Sequence, residues 1–162
     1  MFTRDCVSSV IRPAVAAALA TTVVILPQLA ASADQATELP AFLRWAWQAA
    51  LLTAAPVAAY VVARRSRGIH AGTMALAGVP QVMVVVALIR LDVWLDVRSG
   101  YLLADSGEEA MAYGLGTIIG ALLGLLLSVL VSVGAVLGNR ASRRMSRPAS
   151  RELPGEPGSA GA

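Results

Sequence analysis

The sequence has no lysine, one cysteine (Cys6), one histidine (His70) and only 5% aromatic residues in a chain of 162. A lone cysteine excludes an intramolecular disulfide and any oxidoreductase that works through a cysteine pair. With a single histidine beside it, a Cys/His zinc site is excluded as well. Nucleophilic catalysis is left with almost nothing to build on, and the sequence carries no cofactor motif. The expectation is a protein that is not an enzyme.

Charge is scarce too, at 14% against about 25% in soluble domains. Its distribution says more than its amount. Residues 13–33, 45–63, 68–89 and 110–139, runs of 21, 19, 22 and 30, contain no Asp, Glu, Lys or Arg. Proton-coupled pumps and voltage sensors normally carry ionisable side chains inside the membrane, so both classes are disfavoured.

What fills those runs is apolar: the chain is 57% hydrophobic with a mean hydropathy of +0.68. A helix needs roughly 20 apolar residues to cross a hydrocarbon core of about 30 Å, and each run is long enough to do so once. Transmembrane strands would alternate apolar with polar residues, whereas Val23 to Leu26 and Leu122 to Leu127 are apolar at consecutive positions. The predicted fold is therefore all-α, an integral membrane four-helix bundle with spans near 13–33, 45–63, 69–91 and 112–138. Residues 139–162, rich in Arg, Ser, Pro and Gly, are predicted to be a disordered basic cytoplasmic tail.

The thirteen arginines orient the bundle. Arg4 and Arg12 precede the first run, Arg64, Arg65 and Arg67 follow the second, and Arg140, Arg143, Arg144, Arg147 and Arg151 follow the fourth. The other side holds Arg44, Arg90 and Arg98 with seven of the ten acids. The positive-inside rule then places both termini in the cytoplasm, in a plasma membrane crossed several times. Arginine used to the exclusion of lysine hints at a bacterial source with a GC-rich genome. Trp45, Trp47, Trp94 and Tyr113 fall at the outer ends of spans and read as interfacial anchors. The first span has a rival reading as a signal peptide, with Ala14 to Leu26 as its apolar region and Ala31-Ser32-Ala33 as the cleavage site. Cleavage would leave three spans.

Between spans three and four, Leu91, Trp94, Leu95 and Val97 recur at helical spacing. A short interfacial helix before the last span is expected, with a continuation of span three as the alternative.

The sharpest motif lies in span four, where Gly116, Gly120, Gly124, Ser128 and Ser132 recur at every fourth position, a glycine-zipper pattern that Gly134 and Gly138 repeat. In lipid, helices gain little by hiding apolar side chains from one another, so close backbone approach along small residues is a main route to association. The pattern does not name the partner, which could be another span, a second copy or a different membrane protein. The leading functional expectation is a small non-enzymatic membrane protein acting through helix association, as an accessory subunit or homo-oligomer.

A second expectation is a small channel or facilitator for a neutral solute, its polar path marked by Gln81 and Thr53, with a kink at Val79-Pro80-Gln81. A third is an outward-facing enzyme or cation site using Asp92, Asp96, Glu108 and Glu109, though no ligand loop of recognisable spacing is present and pairing with Arg90 and Arg98 as a solvated end accounts for the acids better. The expected partners are the lipid bilayer and itself or another membrane protein. Nucleic acid is not among them, because a net charge of +3 is already explained by orientation.

Overall fold

A computed structural model of the chain describes residues 4–32, 41–65 and 71–145. They form α1 (Arg4–Ser32), α2 (Ala41–Arg64), α3 (Ala71–Ala75), a 3-10 turn (Leu76–Gly78), α4 (Pro80–Arg98) and α5 (Gly107–Met145). Among the described residues there is no strand. Four segments, Val7–Pro27, Ala46–Arg64, Ala71–Arg98 and Gly107–Met145, are long and apolar enough to cross a membrane, as a multi-pass protein requires. Successive spans run antiparallel, which gathers Arg64, Arg65, Arg140, Arg143 and Arg144 at one end of the bundle and the 99–106 turn at the other. These are called here the arginine end and the turn end.

In cross-section the helices follow the order α1, α2, α5, α4: α5 packs extensively on both α2 and α4, α1 packs on α2 and α4, and α1 barely touches α5. The interior is built from small residues. Among the described residues, seven of the thirteen buried apolar ones are alanine (Ala14, Ala17, Ala55, Ala59, Ala63, Ala77 and Ala135), so the helices meet closely rather than through interleaved large side chains. Large residues face out instead: Val7, Ile11, Val15, Leu19 and Val23 form an exposed stripe along α1, and Ile118, Leu122, Leu125 and Val129 another on α5. In water such stripes would be an aggregation hazard, whereas in hydrocarbon they cost nothing.

Three boundaries differ from expectation. The segment 90–98 is the continuation of α4, and residues 99–106 turn without a helix of their own, so the interfacial helix is not formed. Gly100 (φ +81°) and Asp105 (φ +56°) carry that turn in left-handed conformations. Residues 139–145 belong to α5, with Asn139 and Ser142 buried. Composition misassigns them to the tail because extending an existing helix costs little, and Arg143 and Arg144 complement the negative end of its dipole. Finally, α5 starts at Gly107, ahead of the expected residue 112. The remaining tail, 146–162, lies outside the described residues, as do His70 and Ala33 of the cleavage motif.

Candidate functional site

The span-four ridge packs within the chain, and it does so against two partners. Toward the turn end it faces α4: a Cβ on Gly116 would lie 3.0 Å from Ile89 Cγ2, one on Gly120 2.9 Å from Ile89 Cδ1, and one on Gly124 2.7 Å from the Val82 Cα. Toward the arginine end it faces α2, where Gly134 lies against the Pro56 backbone and Gly138 against the Tyr60 carbonyl and the Arg64 amide. Gly138 sets the ends of the two helices side by side, and Arg64 Nη2 then reaches Met145 Sδ at 3.3 Å.

Between these two regions Ser128 and Ser132 meet the break in span three. Pro80 has no N–H to give the Leu76 carbonyl, and the Val79 N–H takes that carbonyl at 3.2 Å. Ala75 O thereby loses the donor a regular α-helix would supply. Ser132 Oγ donates to it across the interface at 2.6 Å. Gly78 makes that reach possible, since a side chain there would collide with the Ser128 carbonyl and the Ser132 hydroxyl. Changing Ser132 to Ala is expected to cost about 1 kcal/mol of stability in detergent unfolding. The loss should largely vanish in a Pro80→Ala background, where residue 80 regains its N–H and the Ala75 carbonyl can recover its backbone donor; an undiminished cost there would contradict this assignment.

Gln81 follows the break and is fully buried, as is Thr21 of α1. Thr21 Oγ1 lies 3.0 Å from Ala17 O and 3.1 Å from Gln81 Oε1, and its single proton can serve only one of them. Gln81 Nε2 has no partner among the described residues. Turning the amide over lets its nitrogen donate to Thr21 while Thr21 donates to Ala17, but then the amide oxygen is unmet; either way the amide is only half satisfied. Thr53, the other residue of the expected polar path, is exposed and donates to Ala49 O of its own helix at 2.7 Å. The two do not line one path. A β-hydroxyl can return its proton to the preceding turn, and on α2 this leaves Thr53 self-contained.

The acidic residues are dispersed. Among the described residues no three of His, Cys, Asp or Glu lie close enough together to hold a metal ion. Glu109 and Ser106 cap α5: Glu109 N–H donates to Ser106 Oγ at 3.1 Å, and Asp105 N–H donates to Glu109 Oε2 at 2.7 Å. This is a capping box displaced by one residue, and its Ser-x-x-Glu signature stands in the sequence. The Asp96 carbonyl closes the α4 terminus by accepting from Tyr101 N–H at 2.9 Å and Leu102 N–H at 3.2 Å. Glu108 is exposed in the first turn of α5, where a carboxylate suits the helix dipole. Of the arginines expected to pair with these acids, Arg90 sits over the Tyr113 ring at 5.5 Å and Arg98 over the Trp94 ring at 5.2 Å.

One element of the architecture has no counterpart in the sequence motifs. Toward the turn end the four spans part around a crevice of about 470 Å³. Its walls are Ile25 of α1, Trp47, Leu51 and Leu52 of α2, Val85, Leu88 and Ile89 of α4, and Leu123 and Leu126 of α5, with Gln48 and Asp92 as its polar rim. Gly134 and Gly138 hold α2 against the arginine half of α5 and Gly116 to Gly124 hold α4 against the other half, so the close glycine contacts of α2 with α5 lie at Pro56 and beyond it toward the arginine end, away from the crevice. Trp47, expected as an interfacial anchor, is half buried in the wall, and its indole Nε1 is buried without an acceptor among the described residues. One turn below Ile25 and Val85 lie Thr21 and Gln81, and with Met74, Leu127 and Val131, all fully buried, they close the middle of the bundle.

Compared with known proteins, the chain matches no family model, no curated sequence and no solved structure.

Proposed function

We propose that the chain is a non-enzymatic protein of a bacterial cytoplasmic membrane, with both termini inside, that binds a neutral and largely apolar molecule in the crevice between its four spans. The orientation rests on the arginines, ten of which lie on the side assigned to the cytoplasm. The turn end is then the outer one. Retention of α1 as a span, rather than its loss as a signal peptide, is supported by its share of the core through Ala14, Ala17 and Thr21.

The observation that carries the binding reading is the crevice itself. Its volume, about 470 Å³, falls in the range of roughly 300–1,000 Å³ typical of small-molecule sites, and its composition, apolar walls under a few polar groups, is that of such sites. Association with a second copy or another membrane protein would have to use a different surface, because the ridge is occupied by α4 and α2 of the same chain. Facilitated passage of a solute would need the layer of Gln81, Leu127 and Val131 to part. Binding needs no such motion.

The test is photolabelling of the full chain in nanodiscs with a small neutral hydrocarbon bearing a diazirine. Labelling at Leu51 and Leu123 is expected to saturate, and that at Leu123 to be lost in Leu51→Trp, which fills the crevice. Labelling at the lipid-facing Val15 and Val129 should rise in proportion to the probe. If Leu51 and Leu123 label no more saturably than Val129, the crevice is not a binding site.

A further inference from the structure

The crevice has a side as well as a mouth. Two of its wall residues keep much accessible surface: Leu52 on α2 is 36% exposed, and Leu126 on α5, which shares a helical row with the exposed Leu122 and Val129, is 50% exposed. They belong to neighbouring helices whose glycine contacts, at Gly134 and Gly138, lie toward the arginine end and not beside the crevice. Both neighbours of the gap carry large apolar residues outward, Val57 on α2 and Leu125 and Val129 on α5. The gap thus faces hydrocarbon and not water. Its polar rim lies one turn beyond Leu52, at Gln48, and on α4 at Asp92.

We infer that the crevice is occupied by an acyl chain of a lipid from the turn-end leaflet, admitted sideways between α2 and α5, with the polar head held at the level of Gln48 and Asp92. This rests on the binding reading above and names its ligand class. Three features select a lipid tail over a solute from the aqueous side. The walls below the rim are apolar on all four helices, which rewards a hydrocarbon along its whole length. The middle of the bundle is closed, so a molecule in the crevice has no onward path and must leave by the way it came. The distance from apolar wall to polar rim is a single helical turn, matching the step from hydrocarbon to headgroup that an amphiphile itself presents.

The experiment uses the full chain in nanodiscs of phosphatidylcholine, which has no net charge, doped with phosphatidylcholine that carries a diazirine midway along one acyl chain. Cross-links are expected at Leu51, Leu88 and Leu123, of which Leu88 is only 8% exposed, in addition to the lipid-facing Val129. Leu52→Trp and Leu126→Trp, each narrowing the side opening, should abolish the inner cross-links while leaving that at Val129 and the thermal unfolding midpoint unchanged. If the inner positions escape the lipid probe but are labelled saturably by the small hydrocarbon, the acyl-chain assignment is overturned and the crevice remains a site for something else. If inner labelling by lipid survives both tryptophan variants, sideways admission is wrong. If neither probe labels the inner positions, this inference and the binding reading fall together.

Discussion

Gly124→Leu is expected to cost about 3 kcal/mol or more, at or above the top of the range for overpacked interiors, because the obstacle is backbone. A Cβ at that position would lie 2.7 Å from Val82 Cα and 3.3 Å from Val82 O, so relief requires α4 and α5 to move apart. Gly116 and Gly120 should be gentler. There the nearest atoms are side-chain methyls and not backbone: Ile89 Cδ1, 2.9 Å from a Cβ at Gly120, can swing away about χ2, while Cγ2, 3.0 Å from one at Gly116, is held more stiffly on a β-branched carbon. Gly114, with nothing within 4 Å, serves as the control, and its replacement by Leu should shift stability by no more than about 0.5 kcal/mol. The measurement is a titration from mild detergent into SDS followed by helicity. It also separates internal packing from association: if Gly124→Leu leaves the single chain as stable as before and removes only a larger complex, the ridge serves a partner.

Gln81→Leu is expected to stabilise the bundle, by about 1–2 kcal/mol, the cost of a buried polar group left without a partner. The amide is fully buried and half satisfied, leucine has similar bulk, and Thr21 keeps its bond to Ala17 O when the amide is gone. The sign of the change is the informative part. A loss of stability would mean that the amide has a polar partner in the middle of the membrane, a water or a solute, and would revive the neutral-solute path. Equilibrium unfolding of the two proteins in the same detergent decides it.

How much of this was legible in the sequence can be followed residue by residue. The spans were, because the absence of charge over about 20 residues is a requirement of the bilayer and needs no partner to be recognised. The break at Gly78-Val79-Pro80 was legible for a similar reason, since the missing proline N–H is a local fact. The ridge was legible as a face, but periodicity says nothing of what lies opposite. That Gly124 meets Val82 while Gly138 meets Tyr60 depends on how two other helices cross α5. The second small-residue row, Ala55, Ala59 and Ala63, passed unnoticed because alanine is common throughout the chain. The Thr21–Gln81 contact joins residues 60 positions apart. The crevice was not legible at all: its walls come from all four spans, and no single segment encodes it. Ser106 and Glu109 are the opposite case, a capping signature plainly present whose acid was set among candidates for chemistry.

The place of α5 in the bundle bears on how the chain is made. α4 packs chiefly on α5, which is synthesised after it, whereas α2 packs about as extensively on α1 as on α5, and α1 reaches α4 less extensively. Until α5 is made, α1 and α2 can pair but α4 is held to them almost solely through α1, and the Ala75 carbonyl lacks the serine that will meet it. The four-helix arrangement is therefore completed only when α5 enters the bilayer and engages both α2 and α4.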